Sequence, residues 1–212
     1  MNKAGEKALE WLIEKEDTEL IGVYESEKAF EAIREERPEL VISSGFEHIV
    51  PEEIIDVPEK GIVNLHPSYL PYNRGAHPFI WPLIGDTPAG VSIHFMNEAL
   101  DEGPLIARKK VEKRPDDTAK TLRDRLMDQQ FELFKDSWGK ILQGKAKPQE
   151  LEEGSKHVKS DLDDISQLNL EKEMSLEDAI DLLRGLTYGD EKLAFFTESG
   201  ETYRLGLSIE KE

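Results

Sequence analysis

The stretch Gly61-Ile62-Val63-Asn64-Leu65-His66-Pro67 decides how the rest of the chain is interpreted. Its apolar residues predict a short strand, which ends at His66 because Pro67 has no N–H to donate to a β-ladder. Side chains alternate between the two faces of a strand, so Asn64 and His66 share one face. Ligands of open α/β sheets bind beyond the carboxyl ends of the strands. We therefore expect an amide and an imidazole side by side where a ligand would arrive.

A carboxylate follows the next motif along the chain. Residues Gly90 to Met96 predict a strand, and Asp101 lies in the loop after it. A carboxylate beside an imidazole fixes the tautomer of the ring and raises its pKa. We expect Asn64 and His66 to hold the oxyanion of a tetrahedral intermediate, and Asp101 with a water to help remove a proton from an amine. The three residues favour acyl transfer to an amine without a covalent enzyme intermediate.

Three motifs then occur in order: Asn64 to Pro78 (NLHPSYLPYNRGAHP), Gly90 to Met96 (GVSIHFM) and Leu100 to Gly103 (LDEG). Together they resemble the 10-formyltetrahydrofolate-dependent formyltransferase family. That family includes glycinamide ribonucleotide transformylase, methionyl-tRNA formyltransferase and the N-formyltransferases of nucleotide-linked amino sugars, and the first motif is most similar to the sugar enzymes. An Asn-x-His pair alone is more often a polar pair at a strand end, so the combination of motifs decides the interpretation.

The resemblance implies a role for each residue of the set. Asn64 polarises the formyl group and holds the oxyanion, His66 is the acid and oxyanion donor, and Asp101 orients and charges His66. It also implies 10-formyltetrahydrofolate as cosubstrate, with the pteridine between two loops that contain Ile49, Val50, Asn97, Glu98 and Leu100. For Ile49 and Val50, plain core packing is the alternative.

The loop after His66 contains the candidate contacts to the amine substrate, which are Ser68, Tyr69, Arg74 and His77. The guanidinium fork of Arg74 suits a phosphate or carboxylate, and an aromatic ring can stack on a nucleotide base. An exposed arginine and ordinary aromatic packing are the alternatives. The histidines lack the spacing of metal ligands, so we expect no metal.

The composition restricts the partners. With 45 acidic and 27 basic residues the formal net charge is −18, whereas a protein that holds tRNA needs a basic surface. This disfavours nucleic acid and leaves a small amine, most consistently one on a nucleotide sugar. The chain contains no cysteine, no apolar run of membrane-spanning length and no signal-peptide core. We expect a cytoplasmic protein without a membrane partner.

Apolar periodicity predicts helices alternating with strands over residues 1–148, the expected formyltransferase catalytic domain. The expected fold is an α/β, open, mostly parallel, Rossmann-like sheet flanked by helices. The early elements are a helix from Ala4 to Glu16, a strand from Glu19 to Tyr24, a helix from Ser26 to Arg37 and a strand from Leu40 to Ser44. A long helix from Thr118 to about Gln143 follows the motifs.

Residues 149–212 are expected to form a small C-terminal α/β extension. The polar stretch Gln149 to Asp164 predicts a linker or covering loop, Ser175 begins a helix, and Ser199-Gly200 predicts a β-hairpin turn. This pattern looks like the C-terminal portion of sugar formyltransferases, where it can serve dimerisation, so a homodimer is expected.

Compared with the family, the front of the chain is shortened, because the first strand and its glycine loop are missing. Two explanations for the shortened front are open, a misassigned start codon and a trimmed protein. The alternatives to sugar formylation are formylation of glycinamide ribonucleotide or methionyl-tRNA, hydrolysis of the formyl folate, and a non-catalytic folate-binding remnant.

Overall fold

The computed structural model describes residues 1–212, except for the side chain of Glu152. The helices are α1 (Lys3–Ile13), α2 (Lys28–Glu36), α3 (Glu52–Ile55), α4 (Trp81–Ile84), α5 (Ala119–Leu142), α6 (Lys159–Ser166) and α7 (Leu176–Gly185), with a 3₁₀ turn at Leu151–Glu153. The strands are β1 (Val41–Ser44), β2 (Ile62–His66), β3 (Arg74–Gly75), β4 (Gly90–Phe95), β5 (Leu105–Lys110), β6 (Lys156–His157), β7 (Thr187–Tyr188), β8 (Glu191–Lys192), β9 (Ala194–Glu198) and β10 (Glu201–Leu205).

The main sheet has the order β1-β2-β4-β5. Strand β1 runs parallel to β2, whereas β2 with β4 and β4 with β5 are antiparallel. The predicted α/β class, with a sheet flanked by helices and a C-terminal helix and hairpin, is confirmed. A mostly parallel sheet was expected, but the main sheet has one parallel and two antiparallel strand pairs. Residues 19–24, which were expected to form a strand, do not join it.

The hydrophobic core lies between the sheet and the two helices α1 and α5. The inward residues of β2 and β4, among them Val63, Leu65 and Ile93, are fully buried together with Ala8 and Phe134. Helix α5 covers so much of the sheet because its buried positions recur three or four residues apart. The opposite residues of β2 and β4 remain available for a site.

The ends of α5 follow from its sequence. The Thr118 side chain accepts a hydrogen bond from the N–H of Thr121, and the Thr121 side chain accepts one from the N–H of Thr118, which forms a capping box. Gly144 follows the helix with a φ of +63°, in the left-handed region that glycine adopts without strain. The predicted helix and its boundaries are confirmed.

The predicted strand Glu19–Tyr24 is wrong. In the described structure this segment pairs with no strand, and the side chains of Leu20, Ile21, Val23 and Tyr24 are exposed. An apolar segment forms a strand only where a neighbour pairs with its backbone and one of its faces is buried, and the local sequence does not show whether such a neighbour exists. Strand β1 is consequently an edge of the sheet.

The polar stretch after Pro148 is more ordered than the predicted linker. It contains the 3₁₀ turn, β6 and α6, and β6 pairs in parallel with β3 in the loop after His66. Sequence composition missed this pairing because it brings together residues about 80 positions apart. The stretch therefore packs against the loop after His66.

The C-terminal helix and hairpin are confirmed. Ser175 caps α7 by accepting a hydrogen bond from the N–H of Asp178. Strands β9 and β10 form an antiparallel hairpin, and its turn residues Ser199 and Gly200 have φ values of +51° and +82°. Among the described residues, no helix is both long enough and apolar enough to cross a membrane.

The packing of β4 against α5 gives a stability test. Ile93→Ala should lower the free energy of unfolding by about 2–5 kcal/mol, because Ile93 is fully buried between the sheet and α5. Ile49→Ala, at a side chain that is 85% exposed, should change it by no more than about 0.5 kcal/mol. Urea unfolding of both variants measures the difference, and similar values for the two would contradict this packing.

Candidate active site

Strands β2 and β4 bring three polar side chains to one face of the sheet. Asn64 and His66 are two residues apart on β2, and the antiparallel register places His94 of β4 directly opposite Asn64. The rings of His66 and His94 meet edge to face at 6.2 Å between centroids. His66 and His94 are both buried. The predicted Asn64 and His66 pair is thus at the carboxyl end of β2, with a second histidine beside it.

Asp101 completes the group from the loop after β4. Its carboxylate Oδ1 lies 3.5 Å from His66 Nδ1, 3.6 Å from His94 Nε2 and 3.4 Å from Asn64 Nδ2. Its Oδ2 accepts a hydrogen bond of 2.8 Å from the N–H of Gly75. Asp101 is only 7% exposed. The structure therefore brings the three predicted catalytic residues into one buried cluster.

The backbone at Asp101 is unusual, with a φ of +58°. A residue other than glycine keeps this left-handed conformation only where its surroundings hold it, and it is found disproportionately at functional sites. The turn directs the carboxylate inward toward β2. Its conformation is thus part of the geometry of the site.

The hydrogen bonds of His94 fix how Asn64 is held. His94 Nδ1 lies 2.9 Å from the carbonyl oxygen of Phe95, which can only accept, so Nδ1 carries a proton. Nε2 of the same ring lies 3.3 Å from Asn64 Nδ2 and 3.6 Å from Asp101 Oδ1, so it contacts both side chains. The contacts of Asn64 Nδ2 with His94 and Asp101 are both longer than an ordinary N–H···O bond. Either contact can be exchanged for a substrate oxygen at little energetic cost.

The charges of Asp101 and His66 are set by opposing effects. Burial alone would raise the pKa of Asp101, but the imidazoles of His66 and His94 and the N–H of Gly75 hold it well below its usual value. Burial lowers the pKa of His66 below its usual value, and this outweighs the opposite effect of Asp101. The expected effect of Asp101, which raises the pKa of His66, is therefore present, but burial decides the net direction. Near neutral pH the pair consists of a carboxylate and a neutral imidazole.

The geometry also fixes the tautomer of His66. Nδ1 faces the Asp101 carboxylate, so the neutral ring carries its proton on Nδ1. The other nitrogen, Nε2, is buried and makes no hydrogen bond of ordinary geometry with the described residues, although a contact of the ring with the backbone of Asn73 raises the pKa of His66. A buried polar atom without a well-formed hydrogen bond is rare in folded proteins, which makes Nε2 the candidate base of the site.

Glycine is required at position 75. Its φ is +87°, and a Cβ there would lie 2.2 Å from the carbonyl oxygen of His157 in β6. Only glycine lets the two backbones approach so closely while its N–H reaches Asp101. The short strand β3 thereby supports the carboxylate from the side opposite His66.

The loops predicted to hold folate lie next to one another. The carboxylate of Glu52, at the start of α3, lies beside that of Glu98, and this contact together with the like charge raises the pKa of Glu52. Ile49 and Leu100 are exposed, whereas Val50 packs against the core cluster of Ile33, Ile54 and Ile62. Core packing thus describes Val50 but not Ile49. Asn97 and Glu98 are exposed in the loop after β4, and the contact of these five residues with folate stays a prediction.

Two of the four predicted contacts to the amine substrate, Arg74 and Tyr69, already have partners within the protein. Arg74 is buried, and its guanidinium pairs with Glu102 at 2.7 Å, so the exposed arginine expected as the alternative is wrong. The Tyr69 ring lies under Arg108, 4.5 Å from its guanidinium carbon, and lines a cleft along β5. An anion or a base would have to displace these internal partners, which disfavours Arg74 and Tyr69 as direct contacts.

The other two predicted contacts to the amine substrate are Ser68 and His77. The Ser68 hydroxyl is buried with no hydrogen-bond partner among the described residues. His77 follows β3 with a φ of +52°, and its pKa is lowered by burial and by Lys159 of α6. Both therefore remain candidates for substrate contact.

Sequence reasoning missed three groups that the structure brings to this cluster. For His94, the antiparallel register that places it opposite Asn64 is the signal that could have found it. The N–H of Gly75 and the amide of Gln149, which contacts the carbonyls of Asp101 and Gly103, could be found only from the fold. Within the part of the chain that the structure describes, no cluster of three or more histidine or acidic side chains could hold a metal ion.

Two family models match this chain. A model of the formyl transferase family matches residues 10–137, and a model of the N-formyltransferase dimerization C-terminal domain matches residues 161–211. The chain belongs to the formyl transferase family.

Individual relatives fall into two groups. The methionyl-tRNA formyltransferase of Caldanaerobacter subterraneus subsp. tengcongensis is 34% identical over 118 residues, which cover 55% of this chain and 38% of that protein. The chain thus spans about two-fifths of the length of the curated relatives it matches. A sugar N-formyltransferase from a Shewanella species is 32% identical, with a TM-score of 0.80, over 88% of this chain and 76% of that one.

A formyltransferase from Anoxybacillus kamchatkensis was solved with UDP-4,6-dideoxy-4-formamido-L-AltNAc and tetrahydrofolate. It is 32% identical to this chain, with a TM-score of 0.62, and the match covers 77% of this chain and 85% of that one.

The contact between Asp101 and His66 can be tested without any substrate. In Asp101→Asn the midpoint of His66 titration should fall further, because the negative charge that favours imidazolium is removed. NMR titration of the histidine ring signals measures this, with His66→Asn for assignment and Glu98→Gln as a carboxylate control in the same loop. An unchanged midpoint in Asp101→Asn would show that the two side chains do not interact as described.

Proposed function

We propose that this protein transfers the formyl group of 10-formyltetrahydrofolate to a primary amine, and that Asn64, His66 and Asp101 catalyse the transfer. The observation that carries the proposal is the buried cluster in which Asp101 faces His66 Nδ1 while Nε2 remains without a partner. The membership of the chain in the formyl transferase family supports it. Tetrahydrofolate in the Anoxybacillus relative supports folate as the cosubstrate.

The reaction requires one proton to move from the amine to N10 of the folate. The amine nitrogen attacks the formyl carbon, a C–N bond forms, and the carbonyl oxygen becomes an oxyanion that Asn64 Nδ2 can hold. His66 Nε2 takes the proton from the amine nitrogen and returns it to N10 as the bond from the formyl carbon to N10 breaks. One imidazole can make both transfers, and the imidazolium formed in between is stabilised by Asp101 and can donate to the oxyanion.

This assignment moves the first proton transfer from Asp101 to His66. The carboxylate of Asp101 is a poor base because its pKa is held low, and both of its oxygens already have partners. His66 has the opposite character, since it is neutral and its Nε2 is free. Asp101 therefore acts by fixing the tautomer of His66 and balancing the charge of the imidazolium.

For the acceptor we propose an amine on a nucleotide-linked sugar. The Anoxybacillus relative was solved in complex with a formamido sugar nucleotide, and a sugar N-formyltransferase shares the fold over most of both chains. The formal net charge of −18 disfavours tRNA. Formylation of methionyl-tRNA is the second candidate, because the curated sequence relatives have that activity in their names.

A direct assay decides between these acceptors. Release of tetrahydrofolate from 10-formyltetrahydrofolate should depend on an added amino-sugar nucleotide, tested as a panel of UDP- and dTDP-linked 3-amino and 4-amino sugars. Methionyl-tRNA and glycinamide ribonucleotide are the competing acceptors in the panel. Formate release without any amine would indicate hydrolysis, and folate binding without turnover would overturn the proposed activity.

Replacement of His66 tests its role. His66→Ala should reduce the turnover number at least ~100-fold, because the proton carrier and an oxyanion donor are lost together. His48→Ala, at a histidine outside the cluster, is the matched control. Turnover of His66→Ala near that of the control would remove His66 from the mechanism.

The pH dependence has a defined sign. If neutral His66 receives the amine proton, the turnover number should fall as the pH decreases through the pKa of His66, below about 6.5. The turnover number measured at saturating substrates from acidic to mildly alkaline pH gives this profile. If His66 instead had to enter the reaction protonated, the turnover number would fall as the pH rises, which would contradict the proposed proton path.

We also infer a homodimer formed through the C-terminal extension, residues 149–212. The match to a dimerization domain at residues 161–211 supports it. On the hairpin the exposed Tyr203 stacks on the half-buried Phe196 at 5.2 Å, which supports it as well. We propose in addition that residues 1–148 form a catalytic domain and that the C-terminal extension is distinct from it.

Sedimentation velocity tests the dimer. The wild-type chain should sediment as a dimer, and Tyr203→Glu should shift it toward the monomer because a charge replaces an aromatic surface in the hairpin. Tyr24→Glu is the control, since Tyr24 is exposed to the same degree, 46% against 44%, but lies outside the extension. An equal effect of both changes, or a monomeric wild type, would contradict this interface.

A further inference from the structure

Residues 149–157, here called the crossing segment, lie between the two regions that match family models and contact the catalytic loops on both sides of Asp101. The segment begins where Lys147 pairs with Leu105 at the start of β5, with reciprocal backbone hydrogen bonds of 2.7 and 2.8 Å. From this anchor the chain crosses the open side of the loop after β4. It ends at β6, which pairs with β3.

The first contact of the crossing segment is made by Gln149. Its Nε2 donates to the carbonyl oxygen of Asp101 at 3.0 Å and to that of Gly103 at 2.7 Å. These two carbonyls flank the turn in which Asp101 has its left-handed backbone. One side-chain amide thus satisfies two acceptors of the strained turn and fixes the distance between them.

The second set of contacts supports the carboxylate of Asp101 from the other side. The N–H of Asn73 donates to the Ser155 hydroxyl at 2.8 Å, and the N–H of Arg74 donates to the Ser155 carbonyl at 3.0 Å. The N–H of Ala76 donates to the carbonyl of His157 at 2.9 Å. Gly75 lies between them and donates its N–H to Asp101 Oδ2. The crossing segment therefore holds the backbone of Asp101 directly and its carboxylate through Gly75.

We propose that Gln149 is a positioning residue for the proposed formyl transfer, which holds the Asp101 turn so that the carboxylate faces His66. The inference rests on the proposed function for its kinetic consequence and on the geometry alone for its structural one. Gln149 is 48 residues from Asp101 along the chain and touches none of the reacting atoms. It acts through Asp101 by keeping the carboxylate at the distance at which it fixes the tautomer of His66.

The variant Gln149→Met tests this, because methionine keeps the length and much of the volume of glutamine but has no N–H to donate. The matched control is Gln143→Met, the same change at an exposed glutamine after α5. In the amine-dependent assay, Gln149→Met should lower the turnover number about tenfold or more, because small displacements of catalytic groups reduce rates steeply. The KM for the folate should change by less than about threefold, since Gln149 bonds to the backbone of Asp101 and Gly103 and to none of the five predicted folate residues.

A second measurement does not depend on turnover. The titratable side chains that face His66 are Asp101 and His94, and a loosened Asp101 raises the pKa of His66 less than a fixed one does. NMR titration should therefore show a lower midpoint for His66 in Gln149→Met than in the wild type and in Gln143→Met. Gln149→Asn, whose amide is one methylene too short to bridge both carbonyls, should show the same direction of change.

The two measurements separate the two hypotheses. If the wild-type chain shows no turnover with any amine, the proposed function fails, while the His66 titrations still decide whether Gln149 positions Asp101. A turnover number of Gln149→Met within about twofold of Gln143→Met, or His66 midpoints that coincide in all variants, would overturn the positioning role. If Gln149→Met does not fold, the titration of Gln149→Asn decides in the same way.

Discussion

The carboxylate of Asp101 lies buried between two imidazoles, an amide and a backbone N–H, and the arrangement of the catalytic centre depends on these contacts. A buried charge is tolerated only where polar partners replace the lost water. Asp101 has such partners on each side, which explains why its pKa stays low despite burial. Because the charge is fixed, the proton of His66 is drawn to Nδ1, and Nε2 is left as an acceptor.

The contacts of Asp101 in turn depend on how the strands are arranged. Strands β2 and β4 must keep an antiparallel register in which Asn64 faces His94, and β3 must approach β6 closely enough that only glycine fits at position 75. The crossing segment holds the turn of Asp101 from the outside. Packing of α1 and α5 on the opposite face of the sheet provides the rigid support, and the polar face carries the site.

Much of this arrangement can be predicted from local sequence. Pro67 ends β2 at His66, alternation along the strand pairs Asn64 with His66, and the Leu-Asp-Glu-Gly turn places Asp101 after β4. Helix α5 and the hairpin at Ser199 and Gly200 are equally local, since caps, apolar spacing and turn residues determine them.

The features that could not be predicted depend on neighbours distant in the chain. Residues Glu19 to Tyr24 have the composition of a strand but no strand to pair with. The pKa of His66 depends on how completely the loop after β2 buries it, so the effect of Asp101 alone gave the wrong direction. Arg74 pairs with Glu102, and Gln149 reaches Asp101 across 48 residues, which no local pattern reveals.

The central claim is that an ionised Asp101 holds His66 as a neutral ring with its proton on Nδ1 and a free Nε2. Nitrogen-15 chemical shifts of the His66 ring at neutral pH test this most directly, because protonated and unprotonated ring nitrogens resonate far apart. We expect a protonated Nδ1 and an unprotonated Nε2 in the His66 ring. A proton on Nε2 in the neutral ring, or an imidazolium at neutral pH, would contradict the proton path proposed for formyl transfer.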